Sequence, residues 1–277
     1  MNNRYKTAVL IQAHKPIKYF YNLAKINPSV NFYVHIDKKS NFDFFADILP
    51  NVFYIEDRVD VKWGGFSQVL ATISLFREAL KNIENQIFHL VSGDCIFLTG
   101  FDKIASEIDM DSPSLFINFK FSRVHRHRTR FFAVHSDTYW QRKIMGKCLT
   151  KLNKLLDYFP IFSFEKNQLL SVYGSQWFSG NRLAIEQLIQ SISYQDIEFF
   201  RKKLCPDEHF FQYVLQKNGL VKMIASDNRR YIEISDFQNH PSYLDDVLLS
   251  KLLNGQYWIA RKVKEDTALK ILGMHCL

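Results

Sequence analysis

The chain has 277 residues, 47% of them hydrophobic, enough for the core of one large α/β domain or two small ones, which argues against intrinsic disorder. Lys and Arg outnumber Asp and Glu by 36 to 28, and the resulting formal charge of +8 favours anionic partners such as nucleotide phosphates or anionic lipid head groups. The sequence lacks basic blocks interleaved with aromatics, zinc-finger spacings and RNA-binding aromatic signatures, so nucleic acid is not an expected partner.

The cysteine pattern and the hydropathy predict a cellular location. The four cysteines contain no Cys-x-x-Cys pair and form no dense framework, which favours a reducing compartment. The apolar run at residues 8–13 is too short for a signal peptide, and no run approaches a membrane-spanning length. We therefore expect a cytoplasmic protein, with peripheral contact to the inner membrane as a further expectation.

Strands and helices alternate in the predicted structure of the first hundred residues. Apolar runs and helical periodicity predict strands at 8–13, 31–37, 52–55 and 87–91, and helices at 17–26 and 68–80. This order is typical of an α/β fold with a mostly parallel, doubly wound sheet flanked by helices. We predict a single domain over residues 1–277, with a nucleotide-binding half at 1–100 and an acceptor-binding and catalytic half at 101–277.

The second half of the chain is harder to assign. The run from Phe121 to Arg130 alternates basic and other residues, and it fits either an exposed strand or a loop over a cleft. His125 and His127 in this run lack a carboxylate or cysteine at metal-ligand spacing. Beyond it, the patterns predict a strand at 169–178, helices at 182–192 and 208–215, and one further strand and a short helix within 229–263.

Polar residues follow several of the predicted strands. In doubly wound sheets, ligands bind outside the carboxyl ends of the strands. We therefore expect these residues to bind a nucleotide, with ordinary turns as the alternative for any one of them. The predicted donor-binding residues on this side are Ala13, His14, His35, Asp37, Arg58, Ser92, Gly93 and Asp94.

Glu208 follows a Pro206 turn and precedes an apolar helical run. A carboxylate held at such a point is suited to general-base catalysis. The alternative is a carboxylate in the first turn of a helix, where the helix dipole favours it.

A metal site is not evident in the sequence. Asp94-Cys95-Ile96 has no second carboxylate, and Asp109-Met110-Asp111 follows a predicted helix and is interpreted as a solvated turn. We expect no essential metal or other cofactor. Fixed cations then have to neutralise a diphosphate, and arginine forks suit that task. The candidates near the C-terminus are Arg229, Arg230, Arg261 and Lys262.

Several of these blocks together resemble the core-2/I-branching enzyme family. This is glycosyltransferase family 14, which includes β-1,6-N-acetylglucosaminyltransferases and peptide xylosyltransferases. The resemblance runs in order from about residue 8 to residue 265. It is carried by the blocks at 35–39, 51–53, 58, 61–67, 90–95, 174–178, 206–211 and 260–262.

The resemblance implies a GT-A-type fold, inversion at the anomeric carbon, a UDP-sugar donor and no essential metal. It also implies that Glu208 is the catalytic base and that Lys262, Arg230 and Arg261 bind the diphosphate. Trp63 then joins the nucleotide side of the site. Trp177, with its neighbour Gln176, would border the sugar or the acceptor, and a buried core tryptophan is the alternative for Trp177.

The resemblance also bears on the biological setting. Animal members carry a membrane anchor, a stem and many disulfide-forming cysteines, a pattern that this sequence does not show, so a bacterial, cytoplasmic member is implied. We expect transfer of N-acetylglucosamine to a hydroxyl of a glycan or lipid-linked glycan in surface polysaccharide or lipopolysaccharide synthesis. The alternatives are a metal-dependent transferase of another sugar and a non-catalytic nucleotide-sugar-binding protein. A hydrolase is disfavoured, because Asp207 would have to pair with its neighbour Glu208 and is expected to point elsewhere.

Overall fold

A six-stranded sheet is the centre of the computed structural model, which describes residues 5–40, 49–159, 168–233 and 241–274. Its first four strands run parallel, while Ser179–Asn181 runs antiparallel to both of its neighbours. In spatial order the strands are Val52–Tyr54 (β3), Asn31–Ile36 (β2), Lys6–Ala13 (β1), Asn85–Ser92 (β4), Ser179–Asn181 (β9) and Leu115–Phe116 (β6).

Two smaller sheets lie beside the main one. The three-stranded sheet has the order Arg230–Ile232 (β10), Ile259–Arg261 (β11) and Cys95–Phe97 (β5), with β11 antiparallel to β5. The two-stranded sheet pairs Lys120–Phe121 (β7) with Val172–Tyr173 (β8). Because β5 follows β4 almost directly, the first of these sheets brings the C-terminal part of the chain to the end of β4.

The helices flank the sheets. The α-helices are Lys18–Ile26 (α1), Phe66–Lys81 (α2), Phe101–Ser106 (α3), His127–Arg130 (α4), Ile144–Leu156 (α5), Arg182–Gln190 (α6), Tyr194–Phe200 (α7), Phe210–Lys217 (α8), Asp246–Leu252 (α9) and Glu265–Met274 (α10). Short 3₁₀ helices occur at Gln168–Ser171, Pro206–Glu208 and Leu220–Met223. No described helix combines the length and the apolarity that crossing a membrane requires.

The core has two layers, one on each face of the main sheet. Val9 and Ile11 of β1 belong to a buried cluster that includes residues of α1 and α10. Ala8 and Leu10, which point the other way, belong to a second cluster with residues of α2, α6 and α8. A strand buried on both faces needs a continuous apolar run, and β1 has one.

The predicted fold class is confirmed: the protein is α/β, with a mostly parallel six-stranded sheet flanked by helices, as in GT-A enzymes. Four local predictions are wrong. Residues 169–178 do not form one strand, because a 3₁₀ helix precedes the two-residue strand, the Gly174 backbone after it passes too close to the Asn118 carbonyl for a side chain, and the chain bends at Gln176. Residues 127–130 are a short helix, the α-helix after Glu208 begins only at Phe210, and residues 229–263 hold two strands.

Candidate active site

The order in which strands are added to the main sheet reverses between β1 and β4. From β1, the chain builds outward through β2 on one side and through β4 on the other. Gly93, just after β4, donates its backbone N–H to the Gln12 carbonyl of β1 at 3.0 Å. Such a switch point is where open α/β sheets bind ligands. Ala13, His14, Ser92 and Gly93, four of the residues predicted to bind the donor, lie at this edge.

His35, Asp37 and Arg58 hold the segment after β3 against the end of β2. The buried His35 accepts a hydrogen bond from the Val59 N–H at 2.9 Å, and burial lowers the pKa of its imidazole to about 4. Asp37 Oδ1 accepts from the Val61 N–H at 3.2 Å. Arg58 donates to the carbonyls of Ile36, Asp37 and Ser40 at 2.8 to 3.2 Å. These hydrogen bonds use His35, Asp37 and Arg58 within the protein, where they fix the loop after β3 beside the end of β2.

Trp63 lies on the surface, in the turn before α2. It is 57% exposed, and the Arg142 guanidinium lies 3.9 Å from the centroid of its ring. The adjacent Gly64 has a φ of 71°, which a side chain rarely tolerates. An exposed indole backed by a guanidinium presents a flat face to solvent.

A cluster of cations surrounds the end of β4. Pairing of β11 with β5 places Arg261 opposite Cys95, and Arg261 Nε donates to Ser92 Oγ at 3.1 Å. The next residue is Lys262, while Lys15 forms an ion pair with the buried Asp94. Partial burial and the neighbouring Arg261 lower the pKa of the Lys262 ammonium. We call Lys15, Arg261 and Lys262 the switch-point cations.

Arg230 lies beneath this cluster. Its side chain is 7% exposed, donates Nη2 to Ser179 Oγ at 2.9 Å, and forms no ion pair with a carboxylate of the described residues. Its Nε is buried without a hydrogen-bond partner, and burial lowers the pKa of the guanidinium to about 10. A buried cation with spare donor capacity favours an anion close by.

Glu208 ends the 3₁₀ helix Pro206–Glu208, and its carboxylate faces Arg128 of α4. Glu208 Oε2 pairs with Arg128 Nη1, and no described residue donates to Oε1. The backbone fixes both partners: Gly174 N–H donates to the Glu208 carbonyl at 2.9 Å, and Leu204 N–H donates to the Arg128 carbonyl at 3.0 Å. The Glu208 side chain is 39% exposed, so solvent or a substrate can reach it.

The pKa of Asp207 responds both to the Glu208–Arg128 pair and to Arg261. Burial raises the pKa of its carboxyl to about 7, the charge of Glu208 adds to the rise, and Arg128 and Arg261 oppose it. Its Oδ1 is buried without a hydrogen-bond partner. The segment 174–177 links Glu208 and Arg261 in space, because the Gly174 N–H donates to the Glu208 carbonyl at 2.9 Å and the Trp177 ring centroid lies 5.0 Å from the Arg261 guanidinium.

Gln176 and Trp177 lie beneath the switch point, against Gln12 of β1 and Arg261 of β11. Gln176 Nε2 donates a hydrogen bond to Gln12 Oε1 at 3.0 Å, and Gln176 Oε1 accepts one from Gln68 Nε2. The Gln176 side chain is therefore part of a network of side-chain amides. Trp177 is 6% exposed, and the Arg261 guanidinium lies 5.0 Å from its ring centroid. The indole thus supports a cation of the site and is itself mostly covered.

The comparison with protein families decides which group the chain belongs to. The family model described as "Branch: Core-2/I-Branching enzyme" matches residues 17–248. The chain belongs to the core-2/I-branching enzyme family. Members of this family are glycosyltransferases, so a nucleotide-sugar donor and a glycan acceptor are the substrates of this member.

The matched region of this family member contains Glu208, Trp177 and Arg230, while Arg261 and Lys262 lie beyond its end. The structure nevertheless brings Arg261 to Ser92, inside the matched region. No curated protein matches the chain.

Several site residues of this family member escape sequence reasoning. Arg128, Lys15, Gln12 and Gln68 contact predicted site residues without having been predicted themselves. The basic run from Phe121 to Arg130 was the only signal for Arg128. Its partner lies 80 residues away along the chain, so no local pattern identifies the pair.

The two aspartate motifs are engaged within the protein. Asp94 pairs with Lys15, and Asp109 Oδ1 accepts the Asp111 N–H at 3.0 Å within its own turn. Hydrogen bonds from the Ser112 side chain and from the Asp111 backbone N–H lower the pKa of the Asp109 carboxyl. Within the described ranges, no three His, Cys, Asp or Glu side chains gather into a group that could hold a metal ion.

Proposed function

We propose that the protein is an inverting glycosyltransferase that moves a sugar from a UDP-sugar to a hydroxyl of a glycan acceptor. N-acetylglucosamine is the first donor sugar to test, and a lipid-linked glycan of bacterial surface polysaccharide or lipopolysaccharide synthesis is the proposed acceptor. The observation that supports this most strongly is that the segment 174–177 contacts both the reachable Glu208 and Arg261, one of the switch-point cations.

The proposed reaction is a single displacement. Glu208 takes the proton of the acceptor hydroxyl as that oxygen attacks the anomeric carbon. The bond between this carbon and the diphosphate oxygen breaks on the opposite face, so the configuration inverts. UDP leaves with the bonding electron pair, and the added negative charge falls next to Arg261 and Lys262.

Fixed cations in place of a metal are the second part of the proposal. Lys15 and Arg261 already lie at the ends of β1 and β4, and Lys262 follows directly, where a diphosphate would enter the switch point. Arginine and lysine can compensate the charge of a leaving diphosphate by direct hydrogen bonds. The Lys15–Asp94 pair would have to open or shift to free the ammonium.

UDP release from a panel of UDP-sugars, with and without acceptor and in the presence of EDTA, tests this proposal. We expect release that depends on one donor and continues in EDTA. Loss of release in EDTA would support the metal-dependent alternative. UDP that raises the unfolding temperature while no donor is ever turned over would support a binding protein instead.

A further inference from the structure

The helix α5 is unusual because its apolar side chains face solvent. Ile144 is 83% exposed, Met145 63% and Leu155 56%, while Gly146 is the one buried residue of this helix. At 100° per residue, the exposed residues Ile144, Met145, Cys148, Leu152 and Leu155 share one strip of the helix surface. The opposite side, with Gly146 and Asn153, faces the protein. We call this apolar strip the α5 strip.

Basic residues border the α5 strip. Residues 138–156 contain five basic side chains and no acidic one, out of a formal charge of +8 for the whole chain. Lys147, Lys151 and Lys154 fall together on the flank of the helix next to the strip, and all three are exposed. Exposed aromatic residues stand at both ends, with Tyr139 before the helix and Tyr158 after it.

We propose that α5 lies in the surface of an anionic membrane, with the α5 strip inserted among the lipids. A helix with an exposed apolar strip, a lysine flank and aromatic residues at its ends has the features of a helix that lies in a bilayer interface. The lysines complement anionic head groups, and each contributes to binding near such a surface. An uncharged groove on another protein would contact only the apolar strip, and free phosphate would contact only the lysines.

The position of α5 connects this surface to the site. Asp157, at the end of α5, pairs with Arg130 at 2.7 Å and with Arg126 at 3.3 Å. Arg130 belongs to α4, the helix that carries Arg128 to Glu208. Docking through α5 would therefore hold the catalytic edge near the bilayer, where a lipid-linked acceptor resides. The role of the acceptor rests on the proposed function, whereas the membrane contact itself needs no turnover.

Flotation of the full chain with vesicles tests the proposal. We expect binding to vesicles of equal parts phosphatidylcholine and phosphatidylglycerol, much weaker binding to phosphatidylcholine alone, and loss at high salt. The double variant Lys151→Glu/Leu155→Glu should bind about a hundredfold more weakly, since it removes strip and charge together. The matched control is Val247→Glu/Lys251→Glu, which makes the same changes one turn apart on the exposed face of α9.

Binding of both double variants to the same extent, or no binding of the unmodified protein to anionic vesicles, would overturn the proposal. A concentration-dependent dimer in sedimentation velocity that only Lys151→Glu/Leu155→Glu abolishes would assign the strip to a second copy and would also overturn it. Glu208→Gln is expected to bind vesicles normally. Vesicle binding by the unmodified protein without turnover of any donor would count against the proposed function alone.

A label on the α5 strip gives a second readout that needs no disruptive variant. Cys148 is exposed on the strip, whereas Cys95 is buried and Cys205 half-buried. In a Cys276→Ser background, an environment-sensitive dye on Cys148 should shift to the blue with anionic vesicles. The same dye at Val247→Cys, with Cys148→Ser, should not shift. Equal behaviour of the two dyes would contradict insertion of α5.

Discussion

Arg128 holds the proposed base in place. Its guanidinium pairs with Glu208 Oε2 and is itself held by the hydrogen bond between the Leu204 N–H and its carbonyl. Burial alone would lower the pKa of the Arg128 guanidinium, but the negative groups around it, Glu208 and Asp207 among them, raise it overall. We interpret Arg128 as a positioning residue that leaves Glu208 Oε1 open to the acceptor.

Replacing Arg128 with Ala should lower kcat by about tenfold to a hundredfold, because a charge-assisted hydrogen bond to the base is lost. KM for the donor should stay near that of the unmodified enzyme, and Arg128→Lys should restore part of kcat. Steady-state kinetics check this, with the exposed Arg123→Ala of the same basic run as the control. A rise in donor KM with kcat unchanged would place Arg128 at the nucleotide instead.

Lys262 is the cation whose role at the diphosphate is simplest to isolate. Lys262→Met should weaken UDP binding by about tenfold or more, because it removes one charge-assisted contact while keeping the length of the side chain. Lys264→Met is a matched control two residues further on, at an exposed position. Calorimetric titration with UDP measures both variants, and equal affinities would remove Lys262 from the diphosphate site.

The N-terminus of α2 is the element that joins the two halves of the chain. Asp137 Oδ2 accepts the Ser67 N–H at 3.1 Å, in the first turn of α2, and its Oδ1 accepts the Ser67 hydroxyl at 2.5 Å. Gly65 lies against Asp137, where a Cβ would overlap Oδ1 and lie 2.9 Å from the Asp137 Cα. A carboxylate at this helix end interacts favourably with the helix dipole.

Gly65→Ala should therefore destabilise the protein, and by more than Asp137→Asn, which should cost about 1 kcal/mol as the loss of a cap. The alanine has to displace a backbone segment, whereas the amide only weakens two hydrogen bonds. Chemical unfolding measures both, and Gly273→Ala is the control because nothing lies within 4 Å of its added Cβ. Equal stability of Gly65→Ala and Gly273→Ala would show that the contact with Asp137 is dispensable.

Local sequence predicted those elements whose burial follows from one continuous pattern. β1 and β2 are apolar runs buried on both faces, and their predicted positions agree with the structure. The strand prediction before Trp177 failed because this run contains a 3₁₀ turn, a two-residue strand and a bend at Gln176. The close approach of Gly174 to Asn118 within it depends on residues far along the chain. The helix start moved from Glu208 to Phe210 because Pro206 begins a 3₁₀ turn first.

The candidate site could be predicted only in part for the same reason. Glu208 and the polar ends of β1 and β4 have local signals, a proline turn and strand ends. The contact of Arg261 with Ser92 depends on the pairing of β11 with β5, across 169 positions of sequence. The burial of Asp207, whose Oδ1 lies within the protein while the Glu208 carboxylate is partly exposed, likewise has no local sequence signal.

Buried histidines set the pH response of the whole molecule. Burial lowers the pKa of His89 and His209 to about 3 and that of His35 to about 4, from 6.5, so these side chains stay neutral in the fold and take up protons on unfolding. The stabilisation that these neutral histidines contribute is therefore complete above pH 6.5 and is lost as the pH falls toward the folded-state values. Asp207 acts in the opposite direction, because burial raises its pKa to about 7 from 3.8.

Burial also lowers the pKa of His125 to about 4, and it lowers those of His127 and His135. The four histidines with the lowest pKa values against one carboxyl leave a net uptake of about three protons on unfolding, so the free energy of unfolding should fall by about 4 kcal/mol per pH unit below pH 6. Denaturant titrations at pH 7 and pH 5 measure this slope. A protein that is more stable at pH 5 than at pH 7 would contradict the assignment of these histidines as neutral.

Turnover by Glu208→Gln tests the central claim most directly. The amide keeps the size of the side chain but cannot accept the acceptor proton, so kcat should fall by about 10² to 10⁴-fold. UDP affinity should remain that of the unmodified enzyme, because the switch-point cations are untouched. Turnover by Glu208→Gln within a few-fold of the unmodified enzyme would mean that another group removes the proton, and the proposed mechanism would be wrong.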